Sequence, residues 1–167
     1  MDLEFARTLY FREVDRRAHL DSAPTSRVAI LGIVGGVFTY YSERLRFAGD
    51  PMTWFFIVCV AGAVFFSVLS IVWIIRSYFG YRWQYLPLPD ELSAHFQSLM
   101  ARHEEDRFES ADPDELFERD LRHRLIQAAT RNTLSNNQRS ELLHRGSLFL
   151  SVAVVFALLA GVPLLSF

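Results

Sequence analysis

The chain contains no lysine, so all 17 of its basic residues are arginine. Guanidinium groups suit bidentate phosphate contacts, but the segment 79–146 balances nine arginines against twelve acidic residues, and the whole chain carries a net charge of −2. No basic footprint for nucleic acid results, and none is expected as a partner. Only one cysteine is present, Cys59, in the middle of an apolar run, which excludes a disulfide framework and a thiolate metal site. The histidines (His19, His95, His103, His123, His144) show no HExxH or comparable spacing, and neither a P-loop nor a nucleophile elbow occurs. The expectation is therefore no catalytic residue, no metal and no cofactor, that is, a protein that is not an enzyme. The run His103-Glu104-Glu105-Asp106 reads as a solvated charge cluster, because adjacent helical residues point in different directions. The first 27 residues hold five Arg, three Asp and two Glu with no apolar core, so no cleavable signal peptide is expected.

What is present is apolar length. Met52 to Ile75 is 24 residues without a charge, enough to cross about 30 Å of hydrocarbon as a helix. Ser147 to Phe167 is a second such run, which predicts that no C-terminal domain follows it. Val28 to Tyr41 is shorter, and it reaches spanning length if Arg27 and Arg44 snorkel to opposite interfaces while Tyr40 and Tyr41 sit in the aromatic belt. The predicted class is an all-α integral membrane protein: a transmembrane hairpin (28–76, with spans near 28–47 and 52–76), a helical cytosolic segment (77–146) and a C-terminal span (147–167), preceded by an amphipathic cytosolic helix (1–27). Residues 1–27 carry five arginines and 76–146 ten, against two in 42–53. Positive charge collects on the cytoplasmic side, so the N-terminus is expected inside and the C-terminus outside. The apolar runs 28–41, 52–75 and 147–167 contain no Asp, Glu, Lys or His, which argues against a proton relay or ion-coupled transport.

Small residues recur at helical spacing within these runs. Gly32 and Gly36 form a GxxxG step, Cys59, Ala63 and Ser67 a row in the second span, and Ala153, Ala157 and Gly161 another in the last. Such rows let helices approach closely in lipid, within one chain or between copies, and a homo-oligomer is the expected state.

Two helix starts are legible between the apolar runs. Asp50-Pro51 and Asp112-Pro113 each offer an acidic N-cap followed by proline at the first helical position. Between them, Tyr78, Phe79, Tyr81, Trp83 and Tyr85 lead into Leu86-Pro87-Leu88-Pro89, read as an interfacial aromatic belt or, alternatively, a platform for stacking on a nucleobase. From Pro113 no breaker occurs before Gly146, so one helix is expected to run into the last span. Along it Phe117, Leu121, Leu125, Ala128, Asn132, Asn136, Arg139 and Leu143 follow an eleven-residue repeat that keeps one stripe facing a neighbour. The stripe turns polar at Asn132, Asn136 and Arg139. These three residues are the candidate site, with two readings open: hydrogen bonds that set helix register, within or between subunits, or a polar pocket in which Arg139 pairs an anionic ligand.

The charged helix LYFREVDRRAHLDS before a hairpin, the aromatic-to-proline exit YRWQYLPLP and the stretch RNTLSNNQR resemble the small transmembrane effectors of bacterial antiphage, abortive-infection systems. The resemblance implies an oligomeric protein of the bacterial inner membrane that permeabilises the bilayer when a cytosolic signal, such as a nucleotide or a protein partner, acts on its helical segment. The other expectation is a non-catalytic subunit that anchors or partners a larger membrane complex. A third span is a departure from the simplest two-span pattern of such effectors.

Overall fold

The computed structural model describes residues 2–44, 51–105 and 112–165. Four α-helices follow one another: α1 (Leu3–Arg44), α2 (Pro51–Arg76), α3 (Pro89–Glu105) and α4 (Pro113–Ala160), with a 3₁₀ turn at Val162–Leu165. All regular secondary structure among the described residues is helical. Two of these helices, α2 and α4, are long and apolar enough to cross a membrane, and α1 is not among them. Most of the apolar surface faces outward: 22% of the most apolar window of α2 and 28% of that of α4 is buried.

The helix ends follow their local chemistry. Asp112 caps α4, accepting the Asp114 amide at 3.2 Å on its carboxylate and the Leu116 amide at 3.0 Å on its carbonyl, so a donor without an intrahelical partner is satisfied. The first turn of α3 is closed by Glu91, whose carboxylate reaches back to the Leu88 amide at 3.3 Å. The proposed Asp50 cap lies outside the described residues, although α2 does begin at Pro51. Helix α1 passes through Pro24 without ending, which forfeits the hydrogen bond to the carbonyl one turn earlier. The amphipathic segment and the apolar run after it are thus one continuous helix. After α2 the chain turns at Gly80, whose φ of 88° is a conformation that a Cβ disfavours.

The chain divides into two compact units, one of residues 1–18 and 81–137, the other of 19–80 and 138–167. The sequence pattern suggests boundaries at 27, 76 and 146. In the first unit Ala6 and Tyr10 of α1 pack with Leu125, Ala128 and Ala129 of α4, bordered by Leu3, Val14, Leu86 and Leu121. Phe96 of α3 meets Phe117 of α4 edge-on, with centroids 5.3 Å apart, and His95 approaches Asp120 at 3.3 Å.

The second unit is a three-helix bundle. Arg27 bonds Ser147 and Tyr41 closes on Gly161, the residue after α4; the two α1 residues are as far apart in sequence as Ser147 and Gly161, so these helices run parallel. Ser70 bonds the Gly146 carbonyl at 2.8 Å, and Gly62 lies under the Phe156 ring, which sets α2 antiparallel to α4. Stacked rings continue the α2–α4 seam: Phe66 lies against Phe149 at 6.2 Å and Phe156 at 5.6 Å, with interplanar angles of 18° and 21°.

Gly62 is needed because a Cβ there would lie 2.8 Å from two Phe156 ring atoms, and Phe156 is held by its stack on Phe66. Gly62→Leu is therefore expected to destabilise the purified protein by about 1–3 kcal/mol through overpacking, read as a lower thermal midpoint in mild detergent. An unchanged midpoint would mean that the α2–α4 seam is not tightly packed at this level.

Candidate polar site along α4

One face of α4 is buried along most of its length: Leu125, Ala128, Asn132, Asn136, Arg139, Leu143, Gly146, Leu150, Ala153, Ala157 and Ala160 follow at steps of three and four. A face that recurs every three or four residues stays turned to its neighbours. Its polar middle must then find hydrogen-bond partners, because a buried polar group without one costs about 1–3 kcal/mol.

In the first unit, Asn132 is fully buried and grips the main chain of the exit segment. Its carboxamide oxygen accepts the Gln84 amide at 3.0 Å and its nitrogen donates to the Gln84 carbonyl at 3.1 Å. The side chain thereby does for an extended stretch what a neighbouring strand would do. Ser135 adds a longer bond of 3.4 Å to the Arg82 carbonyl. Asn136, also fully buried, donates to both the backbone carbonyl and the carboxylate of Glu13, at 3.0 and 2.9 Å. Glu13 is itself buried, with Arg16 at 3.8 Å on its rim. Two carboxamide oxygens, Asn136 Oδ1 and Gln84 Oε1, are buried without a partner.

The aromatic exit is held in the same unit by an arginine. The Arg17 guanidinium lies 4.8 Å from the centroid of Trp83 and donates to the Tyr85 hydroxyl at 3.0 Å, a cation–π arrangement. Neither Arg17 nor Gln84 stood out in the sequence. The signal available for Arg17 was only its place one or two helical turns after the apolar residues Leu9, Tyr10 and Val14.

In the second unit, Arg139 has an 8% exposed side chain and pairs Asp21 at 2.6 Å, while its Nε donates to the Ser77 carbonyl at 3.1 Å. Tyr78 presents its ring to the guanidinium at 5.7 Å. Arg139 also accounts for a carbonyl at the end of α2, where cations and donors are favoured. Each of the three predicted site residues is thus bound to another part of its own unit.

The small residues divide differently. Ala63, Ala153 and Ala157 are buried in the bundle and Gly161 sits against the Tyr41 hydroxyl. Gly32 and Gly36, with Gly35, have no atom within 4 Å of where a Cβ would stand, so this face of α1 is open. Comparison with protein-family models, curated proteins and solved structures finds no match.

Because Asn132 uses its donor and its acceptor on one residue, Asn132→Asp removes the donor and sets a carboxylate against the Gln84 carbonyl. The expected result is a loss of about 1–3 kcal/mol together with faster amide hydrogen exchange at 82–86, while exchange in α2 is little changed. Unaltered exchange at Gln84 would show that Asn132 does not hold the exit segment.

Proposed function

We propose that the chain is a multi-pass protein of the bacterial inner membrane, N-terminus in the cytoplasm, whose bundle self-associates and perturbs the bilayer when a cytosolic trigger acts on the helical unit built from 1–18 and 81–137. The observation that carries this reading is the outward apolar surface of the bundle. Trp54, Val58, Phe65, Val68 and Ile75 on α2 and Leu148, Val155 and Leu158 on α4 are all exposed. A core helix of a water-soluble protein buries such residues, and an apolar surface this continuous fits a lipid or protein environment.

Three further features support it. The parallel setting of α1 beside α4, with α2 antiparallel, fits three crossings, and the arginine asymmetry favours the N-in orientation. The open glycine face of α1, at Gly32, Gly35 and Gly36, fits close approach by a second copy, as small residues do in lipid. The polar stripe of α4 lies on a helix that continues unbroken to Ala160. A trigger that prefers one arrangement of the contacts made by Asn132, Asn136 or Arg139 would shift the equilibrium between states by its differential affinity. A nucleotide or a protein partner would serve as trigger, and no catalytic residue is required.

Self-association is tested by native mass spectrometry in mild detergent. The wild type should give a multimer, and Gly36→Leu should lower the multimer fraction several-fold with little change in thermal midpoint, since the added side chain meets open space within its own chain. A wild type that is monomeric at all concentrations contradicts the oligomer. Function is tested by following membrane potential in cells that express the chain with its neighbouring genes during phage challenge. Depolarisation that is lost in Arg139→Ala is the expected outcome. Absence of depolarisation and growth arrest under every trigger would favour the anchoring-subunit reading.

A further inference from the structure

We infer that the recess between α1 and α4 in the second unit is a binding site for a phosphate anion carried on an apolar chain, that is, for the headgroup and upper acyl chain of a phospholipid. The inference rests on the membrane placement proposed above. Its anchor is Arg27. The guanidinium Nε donates to the Ser147 hydroxyl at 2.7 Å, but Nη1 is buried with no hydrogen-bond partner. No carboxylate pairs with Arg27 among the described residues, whereas Arg139 and Arg145 pair Asp21 and Glu141. A permanently charged group with an unused buried donor is in deficit of an anion, and a guanidinium matches the oxygens of a phosphate.

The recess around it has a volume of about 420 Å³ and is lined by both polar and apolar side chains. Ser26, Arg27 and Ser147 lie at its start, and Ser151 further along. The Ser147 hydroxyl is committed, donating to the Leu143 carbonyl at 2.9 Å while it receives Arg27, so it fixes the guanidinium. Ser26 and Ser151 rest their hydroxyls on the Ala23 and Ser147 carbonyls of their own helices; such local bonds exchange readily for a bond to a better acceptor. Ile30, Leu150 and Val154 lie further along their helices than Arg27 and Ser147, in the direction of the apolar runs, with the Ser151 hydroxyl turned back onto its own helix among them. The recess thus starts at the charged Arg27 and becomes mainly apolar, in the order that a lipid passes from headgroup to acyl chain.

The surroundings have the same polarity. Arg76 and Arg145 both lie over the Trp73 ring, at 5.3 and 5.2 Å from its centroid, and Arg145 precedes Ser147 by half a turn. Arginine and tryptophan at one level of a bundle are the groups that sit at the headgroup region, and basic pockets between spans on the cytoplasmic side take anionic lipid headgroups. A free phosphate would use the same Arg27 donor but would leave the apolar part empty, which is why the lipid is favoured.

The test uses the full chain purified in a neutral maltoside detergent. Its thermal midpoint is followed while dioctanoyl phosphatidylglycerol, dioctanoylglycerol, which has no phosphate, or inorganic phosphate is added. Dioctanoyl phosphatidylglycerol should raise the midpoint in a saturable way, as any ligand of the native state does, and the other two should not. Arg27→Gln should weaken the effect roughly tenfold or more, and Arg27→Lys should retain part of it. Val154→Trp, which fills the apolar part and leaves Arg27 in place, should also abolish the shift and provides the test should Arg27→Gln fail to fold. An equal shift with inorganic phosphate, or with dioctanoylglycerol, would overturn the lipid assignment, as would a phosphatidylglycerol shift that neither variant alters. Recovery of the chain without detergent from the soluble fraction would instead overturn the membrane placement. A failure of this inference is therefore distinguishable from a failure of that reading.

Discussion

A helix face that is buried all along its length must have each of its side chains answered, and the buried face of α4 is answered differently at each stage. Where it is apolar, at Leu125, Ala128 and Ala129, it meets Ala6 and Tyr10. Where it turns polar, Asn132 takes the main chain of Gln84, Asn136 takes Glu13 and Arg139 takes Asp21 and the Ser77 carbonyl. Where it becomes small, at Gly146, Ala153, Ala157 and Ala160, other helices come close enough for Ser70 to bond the Gly146 carbonyl. Hydrophobic contact alone is indifferent to register, since one apolar side chain substitutes for another at modest cost. Directed hydrogen bonds in a buried setting are not, because a shift of one residue leaves donors and acceptors unpaired.

The same requirement explains the use of arginine. Arg17, Arg139 and Arg145 each combine a carboxylate, a carbonyl or a hydroxyl with an aromatic face. A planar guanidinium satisfies several acceptors and still stacks, which an ammonium does less well. Arg27 differs from these three, with Ser147 as its partner and one buried nitrogen unanswered. The two unanswered carboxamide oxygens, on Asn136 and Gln84, lie in the other unit, next to the contacts that hold the exit segment and α1.

In the three-helix bundle, fit of size works beside the polar contacts of Arg27 and Arg139. Gly62 under Phe156, Gly146 beside Ile74 and Gly161 beneath Tyr41 are places where one helix makes room for a large side chain of another. Such knob-and-gap contacts bring backbones close in a bundle that leaves many large apolar side chains exposed. Gly32 and Gly36 have the same composition yet meet nothing, so a GxxxG step identifies a face capable of close approach without saying which neighbour uses it.

Much of the architecture was legible in the residues alone. Apolar length located α2 and the end of α4, Asp112-Pro113 marked the start of α4, and the eleven-residue repeat picked out the face on which Asn132, Asn136 and Arg139 are buried. These are local or periodic properties, determined by the rise and twist of a helix and by the cost of unsatisfied backbone groups. What the tertiary structure decided was partnership. Neither spacing nor composition could show that Asn132 would reach a backbone 48 residues away, that Asn136 would reach Glu13 at a separation of 123, or that Arg139 would choose Asp21 over other carboxylates. Nor could they show that α1 would continue through Pro24, or that the rows at Ala63, Ala153 and Ala157 would turn inward while Gly32 and Gly36 turned out. Periodicity determines which side chains share a face; the neighbour that covers the face depends on contacts between distant segments, and those exist only once the chain has folded.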